Sequence, residues 1–460
     1  MSLLPTSSLP RIDTLRAPLD IRRAAEFDAL LVMAPDSGAE FDRRVAALPE
    51  STRWAGLHAR LPARAGTVRS TRLANARQSL AVLGYLGRQA SAFERLALAG
   101  RMMKELAGQC AGRIALLSVD EPGCDVEPLL ASALAQAFVM PKFASKPDPE
   151  RHIARIAIPA AAGIDLARAR ATARGTNLAR WLTALPPNRL DAPSYRHLAA
   201  RLARHARISQ RWLDERMLRR LGAGAFLAVA AGNAARNAGI LHLRYRPGRR
   251  GNRPDIALVG KGILFDTGGN NLKSHRGMLD MHTDKAGSAV ALATLLALAE
   301  LEVPVAVDAW LAITENRIGP TAYRPQDVVR AANGVTIQVI HTDAEGRMVL
   351  ADTLALAGRT RPRLMLDFAT LTGACVQAVT ERMSGAFAGD AALAAALVAA
   401  GHASGERVWN FPLAEDYDAE LESRTADVVQ CTPDNKGDHI YAARFLRRFV
   451  PENVPGRTSI

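Results

Sequence analysis

Gly260-Lys261-Gly262-Ile263-Leu264-Phe265-Asp266-Thr267-Gly268-Gly269-Asn270-Asn271-Leu272-Lys273 is an apolar run that ends on a carboxylate and a pair of glycines. The apolar run Ile256–Val259 predicts a strand that continues through Val259–Phe265 with Lys261 as its one charge, and Gly268-Gly269 allow the chain to turn sharply just beyond it. Downstream come Asp284, an Ala/Leu-rich helix pattern near 286–301, and a second charged stretch, His341-Thr342-Asp343-Ala344-Glu345-Gly346-Arg347. Strand patterns at Ile256–Val259, Val303–Ile313, Val335–Ile340 and Leu364–Phe368 alternate with helix patterns near 286–301, 347–358 and 391–404. Such alternation predicts an α/β unit with helices on both faces of a sheet. Both charged stretches follow strands, and open α/β sheets bind ligands at the carboxyl ends of their strands.

Toward the amino terminus the pattern repeats on a smaller scale. Phe27–Met33, Ser79–Gly84 and Arg113–Val119 read as buried strands, with helix-spaced apolar residues near 91–108 and 127–138. Asp165 to Leu185 reads as one long helix stopped by Pro186-Pro187, a natural connector. The expected layout is therefore a smaller α/β domain over 1–164, a connecting helix over 165–190, and a larger three-layer α/β domain over 191–460.

The charged stretches point to a chemistry. Asp266, Asp284, Asp343 and Glu345 are four carboxylates, joined by Lys261, Lys273 and Arg347. The chain has only seven lysines among 59 basic residues, yet three fall between Lys261 and Lys285. An ammonium can lose its proton and become a ligand, whereas a guanidinium cannot at ordinary pH. Asp343 and Glu345 lie two apart, so in an extended segment their side chains would share a face. Carboxylates that converge repel one another unless cations lie among them. Two divalent metals sharing a bridging carboxylate would neutralise them, acidify a water and polarise a carbonyl, and amide hydrolysis is the simplest use of such a site. The alternative is a buried salt-bridge network at a domain junction, which needs careful pairing to offset its desolvation cost.

Composition bounds the rest. A chain of 460 residues with 48% hydrophobic content can bury two cores and is neither disordered nor fibrous. The formal charge of +14 admits a polyanionic partner such as nucleic acid. However, pairs such as Arg22-Arg23, Arg43-Arg44, Arg219-Arg220, Arg249-Arg250 and Arg447-Arg448 never grow into a long basic run, and a solvated surface is the simpler account. Cys110, Cys124, Cys375 and Cys431 are widely spaced and lack a CxxC pair, as expected of reduced thiols. The first 18 residues are broken by prolines and do not read as a signal peptide, and no apolar stretch is long enough to span a bilayer. A cytoplasmic protein without membrane contact is expected.

The residues also carry a resemblance. The stretch His341 to Met348 is similar to the Asn-Thr-Asp-Ala-Glu-Gly-Arg-Leu signature of the leucyl (cytosol) aminopeptidase family, peptidase family M17, and Val259 to Gly287 resembles its other metal-binding segment. Thr176–Arg180 with Pro186-Pro187-Asn188, Ala322–Pro325 with Asp327-Val328, and Ala369–Ala374 add further matches in the same order. The resemblance implies a metal-dependent aminopeptidase with two divalent ions, Mn2+ or Zn2+, per subunit. Asp266 and Glu345 would bridge them, Lys261 and Asp284 would complete the tighter site, and Asp343 the more exchangeable one. Lys273 would polarise the substrate carbonyl and stabilise the gem-diolate, while Arg347 would hold a bicarbonate acting as general base. Met281, Thr370 and Gly373 would line an apolar pocket for the first side chain, with Leu371 orienting the substrate. Peptide substrates with large apolar amino-terminal residues and a homohexameric assembly are implied as well.

Departures from the family pattern set further expectations. His341 and Met348 replace the signature Asn and Leu at positions that supply no side-chain ligand. Lys285 replaces a Met beside Asp284, where its charge would weaken the site, shift its metal preference, or point away. His275 and His282 read as surface residues rather than ligands. In the family, a strand and a glycine-rich tail follow the helix matching Tyr441–Phe449, whereas this sequence offers only Pro455 to Ile460, which would alter the pocket wall. The rival reading is a catalytically impaired protein of this fold acting as a DNA-binding or scaffold protein.

Overall fold

A computed structural model describes residues 3–459 apart from 6–7, 37–40, 42–44, 47, 60–63, 109–111, 119–125, 146–151, 249–250, 252, 435, 453 and 455. Cys110, Cys124, Arg43, Arg44, Arg249 and Arg250 thus lie outside the described residues, whereas Cys375 and Cys431 are free thiols. The chain divides into two compact units, one of Pro5–Asn177 with Gly401–Glu406, the other of Leu178–Ala400 and Arg407–Ile460 with the first four residues. The boundary falls inside the helix Leu166–Ala184, which ends just before Pro186-Pro187.

In the smaller unit the described strands are β1 (Arg11–Leu15), β2 (Ala29–Pro35), β3 (Val68–Arg72), β4 (Leu80–Leu86), β5 (Arg113–Ser118) and β6 (Arg155–Pro159). They form one sheet in the order β1-β6-β5-β2-β4-β3, parallel except for β3 against β4. Strand β2 is apolar on both faces because both are covered. Ala29, Leu31 and Met33 join a core with Leu98, Met102, Leu130 and Leu134 of two helices, while Leu30, Val32 and Ala34 join Phe41 and Trp54 on the other side. This two-sided burial explains why the strand reads as an unbroken hydrophobic run. Ser91 and Glu94 form a capping box that starts the helix Ala92–Lys104.

In the larger unit the strands are β7 (Ser209–Asp214), β8 (Gly239–Tyr245), β9 (Ile256–Asp266), β10 (Val307–Asn316), β11 (Val328–Arg330), β12 (Thr336–Gln338), β13 (Leu364–Phe368), β14 (Ser384–Ala388), β15 (Val408–Asn410), β16 (Val428–Val429) and β17 (Gly456–Ser459). Eight of them make the main sheet, in the order β15-β14-β17-β13-β9-β10-β8-β7. The central β13, β9 and β10 are parallel, and β7 and β8 are antiparallel additions at one edge. On one face the helix Glu345–Gly358 is buried along its whole length, packing its Met348, Leu350 and Leu354 with Val259, Ile263 and Phe226. The helix Ala286–Glu300 covers the other face, its Ser288 lying against Gly260 and Gly262.

Three expectations are corrected here. The strand predicted at 335–340 is the shorter β12, and it belongs to a separate small sheet β11-β12-β16 rather than to the main one. The segment from Asp343 to Glu345 is not extended. Ala344 is turned (φ −101°, ψ 36°) and Glu345 already opens the helix, so the two carboxylates converge through a helix start rather than through strand alternation. Finally, residues 456–459 do form a strand, β17, which inserts between β13 and β14.

Candidate metal centre

Alternation along β9 places Val259, Lys261 and Ile263 on the face covered by the helix Glu345–Gly358. Asp266 is five residues beyond Lys261, and regular alternation would send it to the opposite face. Register prevents this. Between Thr314↔Ile263 and Asn316↔Asp266 strand β9 advances three residues while β10 advances two. This bulge restores Asp266 to the side of Lys261 and sets Asn316 opposite it. Gly268 and Gly269 then turn the chain with φ of 87° and 65°, as their position in the sequence requires.

The carboxylates and lysines meet in two linked clusters. Lys261 Nζ lies 2.9 Å from Asp284 Oδ1 and 2.9 Å from Glu345 Oε1, and donates to the Thr370 carbonyl at 2.8 Å. Lys273 Nζ lies 2.9 Å from Asp266 Oδ2 and 2.6 Å from Asp343 Oδ1. Oxygen atoms of Asp266, Asp343 and Glu345 all come within 4.8 Å of one another, so the two clusters share one site. Gly346 is needed there because a Cβ at this position would stand 2.6 Å from Lys261 Nζ.

Four carboxylates face two ammonium groups, so with every group ionised the site would carry an excess of two negative charges. The electrostatics show the strain of that excess. Burial, and then the charge of Asp266, push Glu345 up to about 8 in spite of Lys261. The same two causes push Asp343 up to about 6, and burial likewise raises Asp284. Burial alone would lower Lys261, but Asp284, Glu345 and Asp266 together raise it above its ordinary value. Lys273 is raised in the same way, burial being outweighed by Asp266 and Asp343. Asp284 Oδ2 and Glu345 Oε2 are buried and accept no hydrogen bond from the protein. Buried carboxylate oxygens without donors are the atoms a cation satisfies, and the donor set of carboxylates with one amine suits a divalent metal.

Several positioning contacts were not legible in the sequence. Asp266 Oδ1 accepts from Gly268 N and Asn316 Nδ2, both at 2.8 Å, and Asn316 also donates to the Thr342 carbonyl. Thr342 Oγ1 donates to the Gly268 carbonyl, tying the two charged stretches together. Gln430 accepts from the backbone of Ile340 and His341 and donates to the Ala344 carbonyl, which pins the turn that presents Asp343. Only Asn316 had a signal in sequence, a polar residue at the end of an apolar strand.

Thr370 donates its hydroxyl to Asp284 Oδ1 at 2.6 Å, so it braces the candidate metal centre as well as bordering it. Met281 opens the short turn leading to Asp284, Leu371 packs against the main core, and Gly373 begins the helix Gly373–Val379 with open space where a side chain would be. These four border the carboxyl end of the sheet. Lys285 turns away from Asp284. Its buried ammonium, which burial lowers to about 8, donates to the carbonyls of Leu185, at 2.8 Å, and His282. Leu185 follows the end of the helix Leu166–Ala184, where unpaired carbonyls favour a cation. His275 and His282 stand outside the cluster that Asp266, Asp343 and Glu345 form among the described residues.

Arg347 differs from its expected use. Its Nη2 donates to both oxygens of Asp438, at 2.8 and 2.7 Å, and its Nη1 to the Gln430 carbonyl at 3.2 Å. The guanidinium is buried and its charge is paired by Asp438, while its Nε has no acceptor among the described residues, so a bicarbonate would have to share it with a carboxylate.

Comparison with known proteins bears on the family and the fold. The profile of the "Cytosol aminopeptidase family, catalytic domain" (peptidase M17) matches residues 177–456. A "probable cytosol aminopeptidase" of Methylorubrum extorquens is 37% identical over 360 residues, covering 76% of this chain and 72% of its own. Another so described, from Parasynechococcus marenigrum, is 37% identical over 391 residues, covering 83% of this chain and 79% of its own. Among solved structures, a variant of tomato leucine aminopeptidase superposes with a TM-score of 0.84 at 27% identity, over 99% of this chain and 92% of that one. The bottromycin maturation enzyme BotP, in complex with Mn, gives 0.79 at 30% identity, over 94% of this chain and 91% of that one.

Proposed function

This chain belongs to the cytosol aminopeptidase family, a family of metal-dependent peptidases, and from that premise we propose that it releases leucine and other large apolar residues from the amino termini of peptides through a two-metal site. The observation that carries the reading is the convergence of four carboxylates and Lys261, with two buried carboxylate oxygens left without donors. The rival reading, an impaired protein serving nucleic acid or scaffolding, is not favoured, because the family's catalytic-domain profile matches residues 177–456 and the candidate ligands converge there.

Asp266 and Glu345 would bridge two divalent ions, with Lys261 and Asp284 completing one site and Asp343 the other. Such ions, Mn2+ or Zn2+, acidify a water and polarise the scissile carbonyl. Lys261 must give up its proton to act as a ligand, and its placement between Asp284 and Glu345 puts that proton next to two acceptors. Lys273, held by Asp266 and Asp343, keeps its proton and is aimed to stabilise the developing oxyanion. Met281, Thr370, Leu371 and Gly373 would shape the pocket for the first side chain. A homohexamer in the cytoplasm fits the family, and none of the described helices is long and apolar enough to cross a membrane.

The test is release of leucine from a leucyl peptide by metal-stripped protein titrated with Mn2+ or Zn2+, with the N-acetylated peptide as control. Activity that returns with metal and vanishes on acetylation supports an exopeptidase that needs the free amine. Two bound metals without turnover would sink the reading. A pH dependence follows from the same site. In the metal-free protein Glu345 holds a proton below about 8 and Asp343 below about 6, and an incoming cation must displace such protons. Metal affinity should therefore fall as pH drops from 8 towards 6, by about tenfold per displaced proton for each pH unit. Calorimetry in buffers of different ionisation heat reads the released protons, and an affinity flat over that range would contradict the assignment.

A further inference from the structure

The pair of Arg347 and Asp438 joins residues 91 positions apart, and both are buried, the side chains being 2% and 9% exposed. Arg347 lies in the first turn of the helix that Glu345 opens, so one helix supplies both the ligand and the guanidinium. Asp438 opens the helix Asp438–Arg447, whose first turn is set by Gly437 in a left-handed conformation. The pair is not remote from the chemistry. His341, whose ring accepts from the backbone N–H of Asp343 at 3.3 Å, lies within electrostatic reach of Lys273, Arg347 and Asp438 together.

Nη2 of the buried Arg347 guanidinium donates to both oxygens of one carboxylate, which pairs its charge, although Nε finds no acceptor among the described residues. Any further anion brought to it would meet the negative charge of Asp438. In a buried setting that repulsion is large, because little water screens it. Breaking the pair to admit the newcomer would leave Asp438 buried and alone, which is costlier still.

We propose that Asp438 supplies, from within the chain, the anion that Arg347 holds, so that this aminopeptidase works without a bound bicarbonate. Asp438 is in this sense a positioning residue. It fixes the guanidinium and the charge beside the metal centre, and it replaces a dissociable anion by a covalently tethered one whose local concentration never limits the site. The proposal rests on the metallopeptidase reading only for its activity readout.

The experiment compares holoenzyme turnover in buffer stripped of carbon dioxide with turnover in buffer containing added bicarbonate, for the unaltered protein and for Asp438→Ala. The unaltered protein should show the same rate in both. Asp438→Ala should lose roughly tenfold or more in kcat without bicarbonate and recover much of it with bicarbonate or formate, a rescue that a purely structural residue would not show. Asp438→Asn, which keeps the shape and loses the charge, should be impaired and resist rescue. Calorimetric titration with bicarbonate should give no heat with the unaltered protein and saturable binding with Asp438→Ala, a result that needs no turnover. Stimulation of the unaltered protein by bicarbonate, or saturable bicarbonate binding to it, would overturn the proposal even if Asp438→Ala fails to fold. Absence of peptidase activity in every sample would count against the functional reading and leave the calorimetric result to decide this one.

Discussion

Asp266→Ala is expected to lose metal and turnover together. Asp266 is set before any ligand arrives, one oxygen accepting from Gly268 N and Asn316 Nδ2 and the other facing Lys273. Its charge is also felt throughout the site, since it raises Lys261, Lys273, Asp343 and Glu345 alike. Removing it takes away the proposed bridging ligand and half of the negative excess that attracts divalent cations. Metal assistance is worth several kcal/mol, so a fall in kcat/KM of about 10^3-fold or more should follow. Bound metal per subunit, measured by elemental analysis after dialysis, should drop in parallel. The metal-free variant should still melt cooperatively, because the loss of a repelling carboxylate offsets the acceptor lost to Gly268 N and the buried Asn316 amide. Glu345→Ala should behave in the same way. Full activity in either variant would remove these residues from the catalytic centre.

Lys273→Ala should separate chemistry from metal binding. Its ammonium contacts Asp266 and Asp343 but is less deeply buried than Lys261, as suits a group that must reach substrate. A preorganised donor aimed at a developing oxyanion is commonly worth about 10^2- to 10^3-fold in kcat. Loss of the ammonium leaves the carboxylates more negative, so metal content should hold or rise. The decisive readout is the pairing of full metal stoichiometry with depressed kcat. A variant that loses both metals would show that Lys273 organises the ligands instead, and unchanged turnover would show that it does neither.

The two largest effects fall on residues that stand out in the amino-acid sequence itself, and the reason is chemical. Carboxylates and rare lysines clustered around an apolar run and a glycine pair are costly to bury without a purpose, so their presence is informative in one dimension. The main strands and helices were legible for a similar reason. Runs such as β2 and β9 are covered on both faces, and helix Ala286–Glu300 is rich in Ala and Leu, so local pattern and burial agree. Where the two disagree, local pattern misleads. Residues 336–338 pair in a small separate sheet, because Ile337 and Gln338 find Val428 and Val429, more than 80 residues away in sequence, as a partner strand.

Sequence by itself determined the α/β class, the two charged stretches, the candidate ligands among them, and the membership in a peptidase family that their order specifies. Tertiary structure alone decided how those residues meet. The bulge in β9 that brings Asp266 to the side of Lys261 depends on register with β10, and the turn at Ala344 depends on Gln430 reaching back from far along the chain. The fate of each cation was equally hidden. Lys285 ends on carbonyls of Leu185 and His282, and Arg347 closes on Asp438, because burial forces every charge to find whatever partner the fold places within reach. Spacing along a chain records which groups are present; only packing records which of them are already spoken for.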